Sequence, residues 1–433
     1  MVSGGYKLQL ARLEDPSIDG AGLQAQGDDE GGILVEGVGK TGYDITAMPE
    51  PWRRGYYEVL MGSGKSAEHM DGRVTDTTRN ISFPQNTVIG PSNPDPRPVP
   101  PNAYSAPREE DCVPSYPGPE RFYLRILTTN GFTEKQKLDA ALAYAAWLEY
   151  KQTPGTALEV YKWGLDIATG SWQGKPIVDS EGVIDSSSGS PTSNILTATT
   201  ALAVHHASNN NLQLALPIFL SVLRARKQLP EAPSTMHSTL ATSSSDEESW
   251  FRTASTLVAN AVRAPDYPPP PPDGQSPPQR SGKERCEEAA VMAYIGEILF
   301  ALKSSKTSRG DGLAWTREAV DVAEEELRSS MATKHSSKKK PGVDAETRKT
   351  CSQCLEVGLG NWQAMVAKMA RAEKEINKAG KGAGWLGFGS KEEVHVTRWE
   401  SEEAVVRERI RRGEELIGKL ALRNVGLSSL FTA

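Results

Sequence analysis

Residues 133–170 read TEKQKLDAALAYAAWLEYKQTPGTALEVYKWGLDIATG, and their reading decides the fold. Thr133 stands three residues before Gln136. That is the spacing of a capping box, in which the hydroxyl and the amide side chain each satisfy a backbone N–H at a helix start. Leu138, Ala141, Leu142, Ala145 and Leu148 then recur at the three- and four-residue steps that line one face of a helix. Thr153-Pro154 marks a second start, with Thr153 at the N-cap and a proline that has no amide to lose at the first helical position. Ala157, Tyr161 and Leu165 carry that helix to Gly170. Two helices joined by a tight turn are the unit from which the rest of the chain is read.

Leu196 to His206 and Leu212 to Leu229 repeat the pattern, with Ala203, Ala215, Phe219 and Val222 in the corresponding places. Ala157 and Ala215 are 58 residues apart because a Ser- and Gly-rich stretch, 180–194, is inserted between the two pairs. Further helices are predicted over Trp52–Met70, broken near Gly62 and Gly64, and over Trp250–Val262, Glu284–Lys303 and Gly312–Met331. A pair is expected around 344–379, and a last helix over Glu392–Arg423 after the turn sequence Gly384 to Gly389. The 11 prolines from Pro84 to Pro119 remove amide donors and fix φ, so that stretch reads as an extended strap without helix or central strand. Val88, Ile89, Tyr104 and Tyr116 would hold it against the helical body. The segments are thus 1–50, irregular, with Ile33-Leu34-Val35 as a strand or a buried loop; 51–83, helical; 84–119, the strap; 120–230, helix pairs; 231–283, a Ser/Pro-rich linker with one helix; and 284–433, C-terminal helices.

Composition narrows the function. With 433 residues the chain holds two or three ordinary domains or one elongated array of helix pairs. A net charge of -6 disfavours nucleic-acid binding, which needs a concentrated basic surface. Lys338-Lys339-Lys340 reads as a solvated loop. No window approaches the roughly 18 apolar residues of a membrane-spanning helix. The 4 cysteines are too few and too scattered to staple the chain, which points to a reducing compartment. Cys351 and Cys354 read as two small residues on one helix face, since no second cysteine or histidine pair follows to complete a metal site. The first thirteen residues carry Lys7 and Arg12 without an acid, as in a mitochondrial presequence, but Glu14 and Asp15 end that pattern.

Small residues where two helices touch, beside large ones where successive pairs stack, are the physical signature of a tetratricopeptide repeat. Ala145, Ala157 and Tyr161 fit it, as do Ala203, Ala215 and Phe219; Phe300/Gly312/Ala319 and Gly358/Trp362 are weaker units, and a plain helical bundle is the alternative. The segments Gly42 to Ala47, Trp52 to Tyr57, Val88 to Pro94, Glu110 to Pro114 and Leu138 to Tyr144 resemble a filamentous-fungal group of mitochondrial tetratricopeptide-repeat proteins. More distantly, the chain is similar to the inner-membrane adaptor that presents substrates to the i-AAA protease. The resemblance covers residues 40–230 well, brings no catalytic motif, and implies a membrane-anchored mitochondrial adaptor. This chain departs from that picture in lacking an anchor and a clear presequence, which would fit the soluble part of a longer protein.

The motifs that carry chemistry read as structure. Gly37 to Gly42 matches G-x-G-x-x-G, but the helix that would receive a pyrophosphate is replaced by Tyr43 to Thr46 and two prolines, Pro49 and Pro51. Gly39-Lys40-Thr41 and Gly64-Lys65-Ser66 lack the earlier glycine of a phosphate-cradling loop, Leu34 and Val59 standing there instead. The 6 histidines have no metal-binding spacing. Residues 243–249 read as a solvated or phosphorylatable loop. Leu142, Ala146, Thr200 and Val204 occupy the places where co-chaperone repeats clamp a carboxylate, and cannot do so. Pro268 to Pro272 is a spacer or a polyproline ligand, and Leu427, Leu430 and Phe431 leave an apolar tail.

The expectation is therefore an all-α, tetratricopeptide-like array of antiparallel helix pairs, an α-solenoid with long Pro/Gly-rich loops. It would act as a non-enzymatic protein-binding scaffold or adaptor, with a protein partner, no cofactor and no metal. The binding face would be that of the first helices, with Tyr144, Trp147 and Leu148 from one pair and His205 and His206 from the next as exposed contacts. The competing classes are a structural subunit of a mitochondrial membrane complex and, remotely, a nucleotide-using enzyme.

Overall fold

The computed structural model describes residues 2–15, 17, 18, 23–25, 34, 35, 39, 40, 42–100, 102, 104–231, 268–302, 306–332, 341–381 and 398–425. The protein is mostly helical and built of packed helix pairs. Its helices are α1 (Val2–Glu14), α2 (Glu50–Met70), α3 (Pro119–Thr128), α4 (Glu134–Tyr150), α5 (Pro154–Thr169), α6 (Ser193–Ser208) and α7 (Leu212–Lys227). After the linker come α8 (Gly282–Ala301), α9 (Lys306–Ala332), α10 (Pro341–Lys381) and α11 (Arg398–Val425). The chain divides into two compact units, residues 1–171 with 237–275, and residues 172–236 with 276–433. The division falls at Ser171/Trp172, between the two helix pairs of the 120–230 stretch.

In the first unit α2, α3, α4 and α5 pack in succession, with α1 against α2. The capping box forms at α4: Thr133 Oγ1 accepts the Gln136 N–H at 3.2 Å, and Gln136 Oε1 accepts the Thr133 N–H at 3.0 Å. Thr153 occupies the N-cap position of α5, but its hydroxyl donates back to the Leu148 carbonyl at 2.9 Å instead of capping. Contrary to the sequence reading, α2 is unbroken. Gly62 and Gly64 are places of close approach: a Cβ on Gly62 would stand 2.5 Å from the Tyr6 ring, and one on Gly64 2.9 Å from the Tyr123 ring. Glu14, at the end of α1, accepts from Tyr56 Oη at 2.9 Å and pairs with Arg125, so α1 is tied to α2 and α3. The stretch 1–50 is therefore not wholly irregular.

The stretch 51–83 is not helical throughout, since two strands follow α2, and the strap contributes a third strand to the same sheet. A three-stranded antiparallel sheet has the order β6-β5-β7, with β5 (Arg73–Asp76) between β6 (Ile81–Pro84) and β7 (Cys112–Pro114). Both proline-bearing strands are edge strands, where a missing amide breaks no ladder. Val88 is buried, while Ile89 and Tyr104 are exposed. Upstream, β1 (Gln24–Ala25) pairs with β4 (Tyr43–Asp44), and β2 (Leu34–Val35) with β3 (Gly39–Lys40).

In the second unit α6 packs on α7, α7 on α8, and α8 on α9 and α10, with α11 on α10. Gly296 and Gly312 let α8 and α9 touch backbone to backbone, a Cβ on Gly312 falling 2.6 Å from the Gly296 carbonyl oxygen. The pair expected around 344–379 is instead the single helix α10 of 41 residues. No proline follows Pro341 within it, and Gly358 packs on Val320. Cys286 of α8 and Cys351 of α10 form a disulfide, against the expectation of reduced, unpaired cysteines, while Cys112 and Cys354 are free. The helix expected over Trp250–Val262, the 243–249 and Lys338 to Lys340 loops, the Gly384 to Gly389 turn and the Leu427 to Phe431 tail lie outside the described residues. No helix among the described residues is long and apolar enough to cross a membrane.

Candidate functional site

The site begins with two neighbouring helices of the first unit that run in the same direction. Arg53 of α2 donates to the Gly131 carbonyl, three residues before α4 begins, at 2.9 Å. At the far end Lys151, just past α4, pairs with Asp71, just past α2, at 2.7 Å. Between these ties α3 supplies the floor through Tyr123, which is fully buried.

A groove of about 480 Å³ opens along the C-terminal halves of α2 and α4. It is lined by Lys65, Glu68 and His69 from α2, Tyr123 from α3, and Ala143, Ala146, Trp147 and Tyr150 from α4. Its aromatic wall is a ladder: Tyr123 stacks on Tyr144 with centroids 5.9 Å apart, and Tyr144 on Trp147 at 6.1 Å. Lys151 Nζ lies 5.8 Å from the Trp147 ring centre, a cation–π contact that holds the indole in place. Ala143 and Ala146 keep the floor between the rings open, and Tyr150 projects with 78% of its surface exposed.

The polar groups of the groove divide into spent and unspent. Glu68 accepts the Tyr123 hydroxyl at 2.6 Å, and burial together with that carboxylate raises the Tyr123 pKa. Burial likewise raises Tyr144, with Glu120 adding to the shift. These phenols are therefore neutral donors throughout the physiological range. Lys65 and His69 are exposed, one helical turn apart, and have no hydrogen-bond or ion-pair partner among the described residues.

The N-terminal ends of the same two helices carry a contact of their own. Arg54 of α2, 9% exposed, donates to the carbonyls of Pro268 at 2.8 Å and Pro269 at 3.4 Å. Asp273 accepts the Lys135 N–H of α4 at 3.4 Å. The proline run is thus neither a free spacer nor a free ligand: it is seated on the N-terminal ends of α2 and α4.

Of the five contacts expected from sequence, Trp147 lines the groove, and Tyr144, half-buried, braces it from behind. Leu148, His205 and His206 are buried at 7%, 3% and 8% exposure, so the expectation that they are exposed is corrected. Leu148 points into the helix packing. His205 and His206, on α6 of the second unit, contact one another edge to face at 5.6 Å and close the last turn of their helix. Lys65 and His69 enter the groove through the packing of α2 beside α4, which periodicity within either helix does not reveal, and Tyr150 enters it as the last residue of α4.

Comparison with protein-family models, with curated proteins and with solved structures finds no match.

A second cavity of about 620 Å³ lies on the three-stranded sheet, bordered by Val74, Asn86, Val88, Asn93, Glu109 and Cys112. Glu109 is spent there on the Ser92 amide at 3.1 Å, and burial raises the Cys112 thiol. Among the described residues no group of three or more His, Cys, Asp or Glu could hold a metal ion.

Proposed function

We propose that the protein is a non-enzymatic scaffold that holds a partner protein in the groove between α2 and α4. The observation that carries this reading is the open aromatic groove on two parallel helices, with Tyr150 exposed and Trp147 fixed at its wall. Large, rigid aromatic side chains give contact area at low entropic cost, which is why they anchor protein interfaces. The parallel placement of α2 and α4, with α3 and α5 behind them, supports a tetratricopeptide-like reading of this unit, in which α2 and α4 are first helices of successive pairs. The resemblance to fungal mitochondrial repeat proteins suggests a mitochondrial adaptor that brings substrates to an inner-membrane protease.

Proximity labelling in fungal cells tests this, using the tagged full-length protein beside its Tyr150→Ala and Trp147→Ala variants. The expected result is a set of mitochondrial neighbours, including an inner-membrane protease and its substrates, that both variants lose. One stoichiometric complex retained by both variants would point to a structural subunit instead, and cytosolic or nuclear neighbours would overturn the mitochondrial placement.

A further inference from the structure

We infer that the α2/α4 groove takes a proline-rich, extended segment of the partner. This rests on the protein-holding reading above and names the class of ligand. The chain's own proline run is a precedent on the same pair of helices: near their N-terminal ends Arg54 donates to two consecutive proline carbonyls at 2.8 and 3.4 Å. Polyproline II has no internal hydrogen bonds, so every carbonyl along it is free to accept.

The groove offers complementary groups. Lys65 and His69 are exposed donors with no partner among the described residues, while Glu68 is already engaged by the Tyr123 hydroxyl. Trp147 and Tyr150 present ring faces beside the two alanines, and aromatic-lined grooves with nearby donors are how preformed polyproline helices are commonly bound. The dimensions agree. Ala143 to Tyr150 spans about 10 Å of helix axis, and a polyproline II segment covers that distance in three or four residues at about 3.1 Å each. One P-x-x-P unit, with its two prolines on the same side of the three-residue turn, fits the length. Lys65 and Glu68 cancel in formal charge, so the groove carries no strong field to select an acidic peptide over a neutral one.

The test is fluorescence anisotropy with the full chain and a labelled peptide of eight prolines, beside a glycine-serine peptide of equal length and a glutamate-rich one. Saturable binding of the proline peptide alone is expected, weakened at least tenfold by Tyr150→Ala and by Trp147→Ala. Tyr150 is exposed, so its variant keeps the parent's circular dichroism and thermal midpoint even if Trp147→Ala loosens α4. Equal binding by Tyr150→Ala, tighter binding of the glutamate peptide, or no saturation would overturn the assignment. If Tyr150→Ala strips neighbours in cells while the proline peptide fails to bind, the protein-holding reading stands and the proline-rich class falls.

Discussion

Arg226 is 4% exposed, and its guanidinium lies 2.5 Å from Glu284 and 2.6 Å from Glu287, so α7 is joined to the first turns of α8 by a buried charge cluster. Burial, the larger influence, raises the Glu284 pKa above the ordinary carboxylate range, and Arg226 pulls it back down. Arg226→Met removes that pull and leaves Glu284 and Glu287 with only the more distant Lys283, 4.0 Å from Glu287, as a cation among the described residues. Breaking such a pair from one side costs about 3–5 kcal/mol. The pH dependence follows from the sign of the shift. A carboxyl whose folded pKa is raised binds its proton more tightly in the fold, so its contribution favours the fold at low pH and is lost as pH rises through the raised value. The deficit of Arg226→Met, read from urea unfolding midpoints, is therefore expected to be largest near pH 8 and to shrink toward pH 5. A deficit independent of pH would show that Glu284 does not titrate against Arg226. At this scale the sequence was partly legible: Trp147 stood out as an aromatic on a first helix, but periodicity alone could not tell its wall position from the buried place of Leu148 one residue later.

Helix α2 shows why elements are read less surely than residues are placed. Glycine costs a helix interior about 1 kcal/mol against alanine, which made Gly62 and Gly64 look like a break. Tertiary contact overrides that preference, because the Tyr6 and Tyr123 rings occupy the space a Cβ would need. Gly55 in the same helix has nothing within 4 Å of such a Cβ. The pair makes a prediction: Gly55→Ala is expected to stabilise the protein by about 0.5–1 kcal/mol, and Gly64→Ala to destabilise it by about 1–3 kcal/mol through overpacking against a fully buried ring. Thermal or urea unfolding of the two variants checks it, and stabilisation by both would mean that the Tyr123 contact is soft. Elements with a local start signal, such as α4 with its capping box and α5 with Pro154, were legible. The short α3, which opens inside the proline-rich stretch, and the pairing of β5 with β7, which depends on contacts 40 residues apart such as Thr75 with Ser115, were not.

At the scale of the whole molecule the two compact units differ in how they are held. The second carries a covalent tie, Cys286 to Cys351, across 65 residues from α8 to α10, whereas the first has only non-covalent ties among its described residues, such as Glu14 with Arg125 and Lys151 with Asp71. A loop of that length gives a chain-entropy stabilisation of about 4 kcal/mol. Cys354 lies one turn beyond Cys351 and could in principle exchange with the bridge, but burial pushes its thiol up to about 11. At neutral pH the thiolate that would attack is scarce, so the pairing persists until an external reductant opens it. A chain of two units need not unfold in one step, and each should be followed by its own amides. Hydrogen exchange with and without a phosphine reductant is expected to show faster exchange in α8 and α10 after reduction and unchanged exchange in α4 and α5. Equal acceleration in both sets would mean that the units unfold as one cooperative body, and acceleration in neither would mean that the α8/α10 packing, not the bridge, sets the stability of the second unit.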